Sequence, residues 1–337
     1  MKAKVSGTKK KINGTTFLLM ITILLFVVMY AAGMIVFNDK GFAKPQMFLN
    51  LFISNAGLLV IAMGETIVMI TAGIDISVGS VTALVCMVAA NQMENHGASA
   101  YTALLMALVI GLLFGLVQGF LVSYLEIQPF IVTLAGMFFA RGMTTIVHTD
   151  PFNVQNKAFV ALKDTRVIVP GMGSVNRIGK YVDAYVEIGV IVALLIVVLM
   201  FVMLRWSKLG RAFYAVGGNK QSALMLGINV KRTRFLAQLF SGVLAGIAGY
   251  VYFLHVGSGS ASHATGMEMN AIASSIIGGT LLTGGVGNII GTFFGVLSLS
   301  TIQNIVSSAG LDQAWWTGIT IAAMLCLFLV IQSIVMA

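Results

Sequence analysis

Residues 51–90 read LFISNAGLLVIAMGETIVMITAGIDISVGSVTALVCMVAA. Two apolar runs, Leu51–Thr71 and Ile76–Ala90, flank a glycine-interrupted joint at Gly73–Gly79. The stretch holds two acidic residues, Glu65 and Asp75, and no basic one. A bilayer-crossing helix needs about 20 predominantly apolar residues, so the first run is long enough to span. The whole chain agrees. Of its 337 residues 58% are hydrophobic and 9% charged, against roughly 25% charged in an ordinary soluble domain. A soluble fold of this length needs far more polar cover, which excludes a soluble enzyme, a disordered tail and a free-standing nucleic-acid binder.

Outward from that stretch the apolar runs continue as Phe17–Phe37, Tyr101–Tyr124, Pro129–Val147, Tyr185–Leu204, Phe235–Val256, Met267–Leu282, Ile289–Val306 and Trp315–Val335. With the first two that makes about ten, the third and the eighth in chain order being short. Phe17–Phe37 exceeds a signal-peptide core of about 7–15 residues and reads as a retained first helix. The 37 glycines suit close helix packing in lipid. Cys86 and Cys326 lie inside apolar runs and read as small packing residues, not a disulfide. The expected fold is an all-α membrane protein, a single transmembrane domain over 1–337.

Lysine and arginine give the orientation. An even count puts both termini on one side, and with that side cytoplasmic the inner segments hold 12 of the 20 basic residues. These are Lys2, Lys4, Lys9, Lys10, Lys11, Arg205, Lys208, Arg211, Lys220, Lys231, Arg232 and Arg234. The outer set is Lys40, Lys44, Lys157, Lys163, Arg166, Arg177 and Lys180, partly offset by Asp39, Asp150, Asp164 and Asp183. The positive-inside rule favours cytoplasmic termini, with 1–16 as a cytoplasmic tail.

Two loops exceed ordinary connections. The external one, 148–183, mixes apolar and polar residues with Pro151, Pro170 and Gly171–Gly173, and reads as a small folded cap. The internal one, 205–234, carries seven basic residues and no acidic one. Within it, Gln221–Ile228 reads as a short amphipathic helix behind the turn Gly217-Gly218-Asn219. This loop is expected to be a docking surface.

The joint recurs. Thr71–Ser80 and Thr283–Thr292 match in residue class at seven of ten positions. Both interrupt paired apolar segments, as duplicated transporter halves with broken helices do. The expected core is therefore pseudo-duplicated, with broken or re-entrant segments.

Charge inside the membrane is costly and normally faces a cavity or a partner. Asp75 and Ser77 either cap helix ends near a transport route or simply open the third span at a turn. Glu65 is either a substrate-bonding or proton-relay group, or a structural one paired with Thr66 or Asn55. Arg141 lies toward the outer end of its span, where it could snorkel. Pro129 opens a span whose Thr133 and Gly136, three apart, form one small/hydroxyl stripe; Asn270, Ser274, Ser275 and Gly278 form another. Such stripes serve helix packing or pore lining. Gly284–Asn288 lacks the lysine and strand of a phosphate loop. The four histidines form no metal-ligand pattern, and no catalytic constellation is apparent.

Four segments in order resemble the sugar-type permease family of ABC importers: Ala72–Ser80, Pro129–Met137, Gly210–Asn219 with Ala223 and Gly227-Ile228, and Ala271–Gly295. Within that family Thr133–Phe139 and Ile276–Gly287 look closest to galactofuranose-type permeases. The resemblance spans roughly residues 15–335. It implies a transport subunit of the bacterial plasma (inner) membrane, without enzymatic activity or cofactor, working by alternating access on a monosaccharide. It also implies a second permease subunit (homo- or heterodimer), cytoplasmic ATPase subunits, an extracytoplasmic sugar-binding protein, and no nucleic-acid partner. Coupling to the ATPases then falls to Arg211, Gly217, Gly218, Asn219, Ala223 and Gly227. The substrate pathway falls to Asn55, Glu65, Asp75, Ser77, Phe130, Thr133, Gly136, Asn270 and Ser274. Two departures are Ser222, where many members carry alanine, and the lack of a basic tail before Ala337. The alternatives are a permease for branched-chain amino acids or another small metabolite, and a proton-coupled transporter relaying through Glu65.

Overall fold

The structure, a computed structural model, describes residues 14–175, 179–311 and 313–336. Lys2, Lys4, Lys9, Lys10, Lys11, Arg177 and most of the 1–16 tail lie outside the described residues. The described chain is helical: α1 (Gly14–Val36), α2 (Pro45–Ile70), α3 (Val78–Asn95), α4 (Ala100–Ser123), α5 (Pro129–Val147), α6 (Lys157–Lys163), α7 (Ile188–Trp206), α8 (Lys208–Gly218), α9 (Lys220–Met225), α10 (Val230–Val256), α11 (Met267–Ile277), α12 (Ile289–Ser308) and α13 (Ala314–Met336).

Among the described residues eight helices are long and apolar enough to cross a membrane: α1, α2, α4, α5, α7, α10, α12 and α13. The two short runs form α3 and α11. The last turns of α3 carry Asn91, Gln92, Glu94 and Asn95. The 11 residues of α11 rise only about 16 Å, too little to cross alone. The sixth run begins later as helix than its hydropathy suggests, because Tyr185–Glu187 is strand. The seventh begins earlier, at Val230, where the Asn229 side chain accepts from the Arg232 amide and so satisfies a free helix-start donor.

Two helices make the centre. From Asn55 to Ile70 every residue of α2 is buried, and α10 packs beside it. Glycines let α10 approach α4 backbone to backbone: a methyl on Gly242 would lie 2.5 Å from the Gly115 amide, and one on Gly246 would meet the Ala107 carbonyl. Such small-residue contacts substitute for the hydrophobic drive that lipid removes. By contrast α1, α5 and α13 keep long apolar faces exposed, with Leu24, Ile146 and Val330 among them.

The segment between α5 and α7 folds over the end of the bundle where α2 begins and α10 ends. Strand β1 (Phe152–Asn153) pairs with β6 (Ser258–Gly259), β2 (Arg166–Ile168) with β5 (Tyr185–Glu187), and β3 (Ser174–Val175) with β4 (Tyr181–Val182), all antiparallel. Phe159 of α6 is fully buried and stacks on Phe253 of α10 with ring centroids 4.5 Å apart. At the opposite end, α8 and α9 form an elbow joining α7 to α10.

Candidate functional site: a polar seam, a glycine junction and a neutral pocket

Asp75 sits in the joint between α2 and α3 and is 1% exposed. Its Oδ1 accepts from the Ser77 amide (3.0 Å) and the Ser77 hydroxyl (2.6 Å), and its Oδ2 from the Ser241 hydroxyl of α10 (2.8 Å). The Asp75 amide donates to Glu65 Oε1 of α2 at 3.3 Å. Gln118 Nε2 of α4 donates to Ser77 Oγ (2.9 Å), while Gln118 Oε1 accepts from Gln238 Nε2 of α10 (3.2 Å). All of these residues are buried. Gly136 of α5 closes the seam from outside, since a methyl there would collide with Gln118 Nε2.

Two details differ from the sequence expectation. Ser77 holds the N-cap position of α3 without a side-chain cap bond; its hydroxyl oxygen accepts from Gln118 Nε2 instead of a helix-start amide. Glu65 meets neither Thr66 nor Asn55. Successive helix residues point about 100° apart, and Thr66 bonds instead to Ser275 (3.0 Å) and Thr292 (2.7 Å). Asn55 lies about 15 Å further along the helix and donates to Ser300 of α12 at 2.7 Å. Among the described residues Glu65 Oε2 has no hydrogen-bond partner, and no basic side chain bonds to either carboxyl of the seam.

The remaining candidates are placed elsewhere. Thr133 is buried and donates back to the Pro129 carbonyl at 2.9 Å, within α5. Phe130 is exposed on the first turn of that helix. Ser274 donates to the Asn270 carbonyl (2.7 Å), and its own carbonyl faces Gly295 of α12; this stripe packs helices. Arg141 does not snorkel: it donates to the carbonyls of Ala261 (2.9 Å) and His263 (2.7 Å), holding the loop that precedes α11.

Asn55 and Asn270 instead share a pocket of about 300 Å³ with Tyr252, Ser262, Thr265 and Gln303, at the end away from the elbow. Its lining offers amides and hydroxyls but no charge.

The elbow is built from caps. Ser207 accepts from Gly210, and Asn219 from Ser222, each at 2.9 Å, so Asn219 opens α9 where α8 stops. Gly227, at φ 77°, then ends α9. The Ile228 amide returns to the Ala223 carbonyl (3.0 Å) and the Gly227 amide to Leu224 (2.9 Å), a Schellman closure that needs the left-handed residue. Ala223 is buried, packed with Val216 and Val230 inside the elbow. What the elbow exposes is Leu224, Met225 and Leu226, at 52%, 81% and 77%. These three were not singled out by sequence reasoning. Their signal is an apolar triplet following the polar stretch Asn219-Lys220-Gln221-Ser222 in a basic loop.

Elbow and joints meet in main chain. The Gly285 amide donates to the Ile70 carbonyl at 2.8 Å. A methyl on Gly217 would collide with that same carbonyl and stand 2.6 Å from the Gly285 amide. A methyl on Gly285 would stand 2.6 Å from the Gly218 Cα, and one on Gly284 would stand 2.7 Å from Ala72 Cβ. The end of α8, the end of α2 and the second glycine joint thus touch without a side chain between them. Gln118, Gln238 and Ser241 of the seam were likewise missed, although an amide inside an apolar run is a readable sign of an interhelical bond.

Residues 47–329 match the family described as branched-chain amino acid transport system / permease component. The chain is 37% identical over 314 residues to the inner membrane ABC transporter permease protein YjfF of Escherichia coli K12, covering 93% of this chain and 91% of that one. It is 35% identical to the fructose import permease protein FruG of Bifidobacterium longum, covering 99% and 96%. It is 32% identical to the autoinducer 2 import system permease protein LsrC of Yersinia enterocolitica, covering 82% and 72%. No solved structure matches the chain. With helices, elbow and matched length in agreement, the chain belongs to this family of transport-system permease components.

Proposed function

We propose that the chain is the membrane-spanning subunit of an ATP-binding-cassette importer for a monosaccharide of the galactofuranose or fructose kind, working by alternating access. The observation that carries the proposal is the main-chain contact of Gly217 and Gly218 with Ile70 and Gly285. A force applied at the elbow reaches both interrupted helices at once. ATPase subunits seat on Leu224–Leu226, a second permease copy or paralogue completes the route, and an external binding protein delivers the sugar to the cap at 148–183. The elbow end is cytoplasmic, with both termini on that side. The seven basic residues from Arg205 to Arg234, with no acid among them, support that orientation.

The uncharged pocket at Asn55 and Asn270 supports a neutral, hydroxylated substrate, which needs hydrogen bonds and not ion pairs. The family description favours a second reading, a branched-chain amino acid. A zwitterion in that pocket would lack charged partners in its lining, and the cost of burying unpaired charge weighs against it. Proteoliposomes holding the chain with its ATPase and binding protein test the choice. ATP-dependent uptake of a monosaccharide, unaffected by a protonophore, is expected. Uptake that persists without ATP and collapses with the proton gradient, or uptake of leucine that no sugar competes, refutes it.

A further inference from the structure

A cavity of about 610 Å³ lies at the elbow end, away from the seam, between α1, α7, α8 and the start of α12. Leu19 and Phe201 give it an apolar wall, Arg205 and Arg211 a cationic one, and residues 285–289 a floor. Tyr214 fixes that floor by donating to the Gly287 carbonyl at 2.9 Å. No acidic residue lines the cavity, and among the described residues neither guanidinium pairs with a carboxylate. Arg211 makes one weak bond, Nη1 to the Trp206 carbonyl at 3.3 Å. Two cations beside an apolar wall, with no counter-charge, are left for an anion to neutralise.

The surroundings say where that anion comes from. Both α1 and α7 turn apolar side chains outward, Leu24 and Val198 being 64% and 59% exposed. Trp206 ends α7 at 65% exposure, with its ring edge-on to Phe201 at 5.9 Å. A tryptophan at the end of a lipid-facing helix marks the headgroup level. Arg205 therefore stands at phosphate depth, with Leu19 and Phe201 on the acyl side. Guanidinium forks match phosphate oxygens in geometry, and basic pockets between membrane helices take anionic headgroups.

We infer that this cavity binds the phosphate headgroup of an anionic phospholipid, held by Arg205 and Arg211. Inorganic phosphate shares the chemistry, so the test separates the two. The full chain, purified in detergent, is titrated with phosphatidylglycerol and with phosphatidylethanolamine and read by native mass spectrometry. One phosphatidylglycerol per chain is expected to be retained in preference to phosphatidylethanolamine. R205Q/R211Q is expected to weaken that retention on the order of 30-fold, from about one headgroup-level interaction lost per arginine. R205K/R211K, which keeps the charge but loses the guanidinium fork, should bind more tightly than R205Q/R211Q and less tightly than the unaltered chain, and this guards against a folding defect in the first variant. Equal binding of both lipids, unchanged binding in R205Q/R211Q, or full displacement of the lipid by millimolar inorganic phosphate would overturn the assignment.

Discussion

The carbonyl of Ile70, at the end of α2, accepts from the amide of Gly285 at 2.8 Å across more than 200 residues of chain. Gly217 leaves room for that bond only because it has no side chain. G217A is therefore expected to push α8 off the junction, at about 1–3 kcal/mol for an overpacked site, and to abolish most uptake. G218A is expected to be tolerated, since its methyl would come no closer than 4.0 Å, at the Gly285 Cα. Thermal unfolding of the purified chain together with uptake in proteoliposomes measures both. Equal behaviour of the two variants would show that the junction is not what matters.

At the elbow, L224E and M225E alter exposed positions and should change stability by no more than about 0.5 kcal/mol, while reducing co-purification of the ATPase. A223E is a poor probe of docking, because Ala223 is 1% exposed and a glutamate there buries charge. It should fail at folding first. ATPase capture undiminished in L224E/M225E would remove these residues from the contact.

In the seam, D75A strands the Ser77 amide and the Ser241 hydroxyl, each at about 1–3 kcal/mol, whereas D75N keeps an acceptor and should cost less. A double-mutant cycle of D75A with S241A is expected to give a coupling of about 0.5–3 kcal/mol. Strict additivity would mean the 2.8 Å bond contributes nothing.

His263 lies in the loop before α11, and burial holds its imidazole below the usual 6.5. The folded chain thus favours the neutral ring, while the unfolded chain takes up a proton as pH falls through 6.5. Stability should be level above that pH and decline below it. H263Q is expected to flatten the decline, as read from thermal midpoints between pH 7.5 and pH 5 (about the range in which histidine titrates). An identical acid profile in both chains would place the sensitivity elsewhere.

Apolar runs announced about ten spans, since a span needs only length and hydropathy; among the described residues eight helices are long and apolar enough to cross. The short third and eighth runs announced themselves as α3 and α11 by the same measure. Asp75 stood out as an acid between apolar runs, yet its partner Ser241 lies 166 residues away, and Gln118, which bonds to Ser77, lies 41 residues from that serine, distances no local pattern reports. Gly217 and Gly218, expected in a turn, are instead the last residues of α8, and the family resemblance marked them as expected coupling residues. That they abut Gly285 is a fact of tertiary packing. Ala223, marked by the resemblance, is buried and shapes the elbow, while the exposed Leu224–Leu226 lies beside it.

The α10 helix runs 27 residues, about 40 Å, where the hydrocarbon layer is about 30 Å thick. Lys231, Arg232 and Arg234 all fall in its first two turns, and cations do not rest in hydrocarbon, so the surplus length stands at that end. The chain carries its own spacer. Roughly 10 Å of helix sets the height at which α9 stands off the bilayer, and with it the clearance of any soluble subunit seated there.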